Sequence, residues 1–354
     1  MQLKKAATFP LFAWVVVACA PESIDGPTGT GGASATGGTS SGGRATGGQA
    51  TGGLPSGGVA TGGAVGVTGG QATGGKASGG TATGGKASGG TGATNTGGTG
   101  ACDWSDPPSN VAAWVNESWN SQLGNNVRNL NRWLLDSAMK GKGQINLCMR
   151  WGASTAPSAT VKSGIGSTYQ KWFTDWFSQL QGYGCFPYPS ITVKVTGWAV
   201  KSGNTSWVSD LDSSIKIYTE TDSSGEPKCP DSCSFFSNWS HTFPNCSGGE
   251  AFHTDYWWWI DDTLDAAAVG GDWGLRMPLA ALNNAMQNIA YDVNTVEHEM
   301  GHGFGFQDYY DWTGSRPAGG SLMIIENPLP TRPTVGDRWL IRRTWKEMKA
   351  LRGW

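Results

Sequence analysis

Residues 102–354 predict an α+β fold, one domain in which helices and strands interleave, behind a long low-complexity lead. Three observations carry that expectation. Apolar residues at helical spacing alternate along this stretch with segments of two-residue strand period. One helical segment holds His298-Glu299-Met300-Gly301-His302, which puts two imidazoles on one helix face. Cys102, Cys148, Cys185, Cys229, Cys233 and Cys246 form an even set, as expected of three disulfides in an exported domain, with a connectivity that sequence leaves open.

Residues 1–18 have the form of an export signal. Lys4 and Lys5 precede an apolar run over 11–18 that is too short to span a bilayer stably. Val16-Val17-Ala18-Cys19 resembles a bacterial lipobox, which implies cleavage before Cys19 and a lipid on that cysteine. Ala20 after it resembles the outer-membrane class, so the expected location is the cell surface or outer envelope. Ordinary secretion, with cleavage after Ala18 or Ala20, is the second reading. Residues 19–101 are a linker rich in Gly, Thr and Ser, with Gln-Ala-Thr-Gly-Gly at 49–53 and again at 71–75. It has no aromatic side chain, so nothing in it offsets the entropy of ordering, and it reads as a flexible tether. A propeptide is the runner-up, for which the apolar content is too low. Lys+Arg 25 against Asp+Glu 27 gives no reason to expect nucleic acid or an anionic membrane as partner.

Within the domain, 111–123 is expected to be helical, with Val111, Trp114, Val115 and Trp119 on one side, and 127–139 to continue it or form another helix. Over 144–151, Ile145, Leu147 and Met149 alternate with Asn146 and Cys148, as in a strand. Trp172, Phe173, Trp176 and Leu180 make the stripe of a helix over 169–180. A strand over 191–200 puts Ile191, Val193, Val195 and Gly197 on one face, and 215–218 is a shorter strand. Residues 227–249 are a turn-rich loop. Cys229-Pro-Asp-Ser-Cys233 has the look of a metal knuckle, but with Cys246 nearby a disulfide-tied loop is the expectation. The run Tyr256-Trp257-Trp258-Trp259-Ile260 is a strand, and 270–288 connects it to the histidine segment. Near the end, Thr334-Val335-Gly336-Asp337 has the form of a capping box, and Ile341, Trp345 and Met348 continue it as an amphipathic helix.

The chemistry concentrates in 298–308. Val293, Val296 and Met300 share one face of the predicted helix, and His298 and His302 lie nearly opposite. Two imidazoles one turn apart can reach one ion, usually Zn²⁺, and Glu299 between them can take a proton from a water bound to it. Gly305 falls where the helix must stop and the chain turn back, which glycine does most easily. That turn brings Asp308 round as a third ligand, with Glu326 as the substitute. Two histidines and a carboxylate leave the fourth zinc position to water, as in a catalytic site. The chain's other histidines, His241 and His253, lie upstream, so no third histidine follows His302.

The stretch from Asp292 to Met323 resembles the metzincin clan of zinc endopeptidases. Their motif, His-Glu-x-x-His-x-x-Gly-x-x-His, carries Asp at the last position in some families, as in the small snapalysin-like proteases. A downstream Glu ligand resembles instead the thermolysin-like clan, against which Gly305 and Met323 speak. The resemblance implies a zincin domain with a mixed sheet, an active-site helix, a Met-turn and a closing C-terminal helix. It makes Met323, in Ser321-Leu322-Met323, the methionine beneath the metal. It implies an edge strand ahead of the active-site helix that pairs with extended substrate; 252–261 stands in the right order for that, or is a buried strand with core aromatics. It puts Tyr309 just after the third ligand, where a phenol either donates to a developing oxyanion or only packs.

The expectation is therefore a secreted or surface-anchored, monomeric zinc endopeptidase. It takes a protein or peptide substrate, uses one catalytic Zn²⁺ with structural Ca²⁺ left open, and touches membrane only through Cys19. Two rivals stand beside it. One is a carbohydrate-binding or adhesion lipoprotein that uses some of its 19 tryptophans as sugar-stacking platforms. The other is a hydrolase with the same metal site and a non-peptide substrate.

Overall fold

The computed structural model describes residues 102–324 and 326–354. The export signal, Cys19 and the linker lie outside the described residues. The domain is α+β, with a mixed six-stranded sheet in the order β3-β2-β1-β4-β6-β5. β1 (Gln144–Trp151) and β4 (Tyr256–Ile260) form its centre, with β2 (Thr192–Val200) and β3 (Lys216–Tyr218) on one side. β6 (Gly274–Met277) and β5 (Val269–Gly271) lie on the other. The pairs β3-β2, β2-β1, β1-β4 and β4-β6 are parallel, and β5 runs antiparallel to β6.

Parallel strands are covered on both faces, and β1 shows the consequence. It is buried from Ile145 to Trp151, Asn146 and Cys148 included, so the expected polar-out alternation is lost. Beside it, the register against β2 slips by one residue at Thr196, whose hydroxyl donates to the Leu147 carbonyl at 3.2 Å. This bulge turns over the residues beyond it and breaks the single face expected for Val193, Val195 and Gly197. β4 lies in the middle of the sheet. Trp258 stacks on Tyr169 and Trp172, with ring centroids 4.0 and 5.5 Å away. Of the two readings for the aromatic run, the buried strand is the one found. The edge on the α6 side is β5, in a stretch expected only to connect, where glycines give no strand period to read.

α1 (Ser109–Ser118) and a π-helical turn (Trp119–Leu123) make the expected first helix, with Val111, Trp114, Val115 and Trp119 buried. The helix expected over 127–139 is two. α2 (Gly124–Asn129) ends, the chain turns extended at Leu130, and α3 (Leu134–Lys140) starts afresh. The break lets the Leu134 N–H donate to the Gly303 carbonyl at 2.8 Å, and the Trp133 N–H to Asp136 at 3.1 Å. α4 (Ala159–Phe177) begins well before 169, capped by the Ser158 hydroxyl, which accepts the Val161 N–H at 3.2 Å. Gly164 and Gly166 had diluted its helical pattern. α5 (Leu279–Met286) and α6 (Ala290–His302) follow β6, and α7 (Val335–Arg352) ends the chain. α6 lies against β5 and β6, α4 against β2, and α1 against α7.

The cysteines pair as Cys102–Cys185, Cys148–Cys229 and Cys233–Cys246. Cys229 and Cys233 thus belong to different disulfides and not to a metal knuckle. Three disulfides mark an extracellular or otherwise oxidising environment. Among the described residues, no helix is long and apolar enough to cross a membrane.

Candidate metal centre at the end of α6

α6 forms where the sequence placed it, and its two faces divide as expected. Val293, Val296 and Met300 are buried in the core. The helix stops at His302, and Gly305 makes the return with φ 91°, a left-handed conformation that a side chain would strain. The Asn126 amide holds the turn by donating to the Gly305 carbonyl at 3.2 Å.

The histidines are oriented from behind. His298 Nδ1 lies 2.8 Å from the Leu322 carbonyl oxygen, and His302 Nδ1 lies 2.8 Å from that of Phe306. A carbonyl only accepts, so each Nδ1 carries the proton and each Nε2 can offer its lone pair. Both Nε2 atoms face one oxygen, Asp308 Oδ1, at 2.8 Å from His298 and 3.4 Å from His302. Glu299 Oε2 lies 3.7 Å from His302 Nε2. A tetrahedral zinc with bonds of about 2.0 Å sets its ligands roughly 3.3 Å apart. The donor set fits that ion, and His298, Glu299 and His302 form a group that could hold a metal.

The electrostatics agree. Burial works against a charge on His302, but the Asp308 hydrogen bond and the Glu299 and Asp308 charges outweigh it and raise its pKa to about 9. Burial also pushes Asp308 up, yet the hydrogen bonds and charges of both histidines hold its carboxyl well below the usual carboxylate range. A cation is favoured at this point, and a divalent ion competes there with a proton.

Met323, the residue expected to form a Met-turn, packs against α6 at Gly301. A β-carbon on Gly301 would collide with its sulphur, so the thioether fills the space beneath the ligand turn. The segment around it is tied to α7. The buried Asp337 carboxylate accepts from the Ser321 hydroxyl (2.6 Å), the Leu322 N–H (2.9 Å) and the Thr334 N–H (2.8 Å). The capping box read from the sequence therefore does a second job, because Leu322 is the residue whose carbonyl orients His298.

Of the two readings for Tyr309, packing is the one found. Tyr309 is buried edge-on to Trp114 and Trp312, with centroids 4.7 and 5.1 Å away, and burial pushes its phenol well above the ordinary value. The phenol at the histidines belongs to Tyr310, whose Oη is 2.9 Å from His298 Nε2 and whose ring stacks on His298. Consecutive side chains here point to opposite sides, and the core claims the first. Glu326, the substitute third ligand, lies instead against Gly320. Gly270 of β5 had no expected role. It crosses α6 so closely that a β-carbon would strike the Glu299 carbonyl. The Gly270-Gly271 pair was the one available signal of that close approach.

Comparison with protein-family models, with curated proteins and with solved structures found no match to this chain.

Proposed function

We propose that the domain is an extracellular zinc endopeptidase of metzincin type. The observation that carries this reading is the convergence of His298 Nε2, His302 Nε2 and Asp308 Oδ1 on one point, with Glu299 beside it. Bound by those three residues, zinc would polarise a scissile carbonyl and lower the pKa of its water from 15.7 towards about 7. Glu299 takes a proton from the attacking water and hands it to the leaving amine. Its Oε2 is buried and, among the described residues, makes no hydrogen bond that would compete for that role. The Tyr310 phenol donates to the carbonyl oxygen as charge builds there, the part that one reading of the sequence gave to Tyr309.

The substrate class follows from β5. It is one of the two edges of the sheet, the other being β3, and passes directly over the Glu299 backbone. An extended peptide added to that edge by backbone hydrogen bonds would present its carbonyls to the centre, which favours a peptide over a non-peptide substrate. The adhesion rival loses its main support, because among the described residues Trp239, at 41 %, is the one exposed tryptophan. The others serve the core or its margin. Lipid attachment at Cys19 belongs to the same proposal and accords with the disulfides.

The test measures zinc content and casein cleavage for the full chain beside Glu299→Ala. Both should bind zinc at the α6 centre, and only the wild type should cleave. Cleavage by Glu299→Ala would mean that the base lies elsewhere, and zinc-loaded wild type without cleavage would return the non-peptide or binding reading.

A further inference from the structure

A second group of donors lies outside that centre: His241, His253 and Asp255. They stand on the segment that carries the cysteine-rich loop into β4. The Asp255 side chain is fully buried, and those of His241 and His253 are 10 % and 12 % exposed. Each carboxylate oxygen faces one histidine. His241 Nε2 is 3.1 Å from Oδ1, and His253 Nε2 is 3.3 Å from Oδ2. Oδ2 also accepts the Asn146 N–H of β1 at 2.8 Å.

His253 is oriented as the α6 histidines are. Its Nδ1 lies 2.7 Å from the Glu250 carbonyl oxygen. That nitrogen carries the proton, so Nε2 can turn a lone pair towards the carboxylate. The Asn146 side-chain amide lies 3.2 Å from Nδ1 and 3.5 Å from Nε2. A bare lone pair on Nε2 would repel a carboxylate oxygen 3.3 Å away, so the contact calls for either a second ring proton or a metal ion. The spacing is again that of ligands on one tetrahedral ion, roughly 3.3 Å apart. His241 is brought to the other oxygen of the same carboxylate by a backbone in the left-handed region, φ 57°, uncommon for a residue with a β-carbon. Phe235 and Phe243 pack edge-on to its ring at 4.9 and 5.1 Å, and Phe243 stacks on His253 at 4.6 Å. Two imidazoles are thus held 4.8 Å apart, ring to ring, over one buried carboxylate.

We propose that His241, His253 and Asp255 bind a second divalent cation of the zinc class, in a structural role. Imidazole and carboxylate donors suit zinc and its first-row neighbours. The ion pins the loop that the Cys233–Cys246 disulfide also closes. Phe236 and Trp239 of that loop lie over the Arg132 guanidinium, 4.0 and 5.0 Å from it, and Arg132 pairs with Asp272, the residue after β5. The staple therefore braces the neighbourhood of the edge strand.

The experiment is zinc content of the full chain, after dialysis against a weak chelator, for wild type, His302→Ala and His302→Ala with His241→Gln. Two, one and no zinc ions per chain are expected. Zinc-edge X-ray absorption on His302→Ala, which leaves the second group intact, should report imidazole and carboxylate donors. Loss of all zinc in His302→Ala overturns the proposal and leaves a proton bridging the group. A retained ion that survives His241→Gln, or that is bound through sulphur, overturns it as well. A wild type with one zinc that His302→Ala does not remove supports this group and counts against the α6 centre, so the two readings fail separately.

Discussion

His298 and His302 stand one turn apart on a helix, whereas His241 and His253 stand on a disulfide-closed loop. The donors are alike and the scaffolds are not. On α6 a regular backbone sets the distance between the imidazoles, and the buried Asp337 fixes the segment that orients one of them. On the loop, ring packing and a left-handed histidine do that work. Access differs too. The Asp308 side chain is 25 % exposed, while that of Asp255 is fully buried. An open carboxylate with a glutamate next to it suits turnover. A closed one suits permanence. Under the two proposals, the surroundings of a His/His/Asp set, and not its composition, separate a catalytic site from a structural one.

The largest effect should come from Glu299→Ala. Cleavage should fall roughly 10²–10⁴-fold with zinc on α6 unchanged, because only the proton transfer is lost. A comparable fall from His253→Gln would break the division of labour between the two groups. Next comes Cys233→Ser with Cys246→Ser. The lost cross-link should cost about 2–4 kcal/mol in thermal unfolding, and the loop ion should leave before the α6 ion. Equal release of both would mean that the loop does not hold its own site. Asp337→Asn should act the other way, weakening zinc on α6 about 10–100-fold in chelator competition while sparing the loop ion.

The smallest effect serves as a control away from both groups. Arg150 and Arg276 sandwich Trp259, at 3.9 and 4.1 Å. Burial raises the Asp222 and Asp261 carboxyls, but hydrogen bonds from Ser224 and Thr263 and the charges of Arg150 and Arg276 hold both below the ordinary range. A depressed carboxyl contributes stability above its unfolded value, about 3.9, and loses it as pH falls through the folded one. After solvent screening the contribution is on the order of 1 kcal/mol or less. Melting temperature should drop by roughly 2–4 °C below pH 4 and less so in Asp261→Asn, with or without zinc. A drop confined to the zinc-loaded protein would tie this region to the metal groups.

Much of the candidate centre was legible because its logic is local. Helical spacing placed His298, Glu299 and His302, a turn glycine brought Asp308 back, and a capping box began α7. The same locality hid the rest. Tyr309 and Tyr310 are adjacent, and only the packing of Tyr309 on Trp114, nearly two hundred residues away in the chain, and on Trp312 decides which ring enters the core. β5 was hidden because glycines carry no strand period, and its meaning appears only where Gly270 meets Glu299.

Residue pattern was enough for the α+β class, the helix that carries both histidines on one face and an even set of cysteines, since periodicity, capping and residue chemistry act over a few residues. Tertiary structure alone decided the cysteine pairing, the edge strand, the phenol at the histidines and the meeting of His241 and His253 with Asp255. Each of these is a contact between segments whose side chains must first be packed before they can meet, and no short window of sequence contains both partners and the core that brings them together.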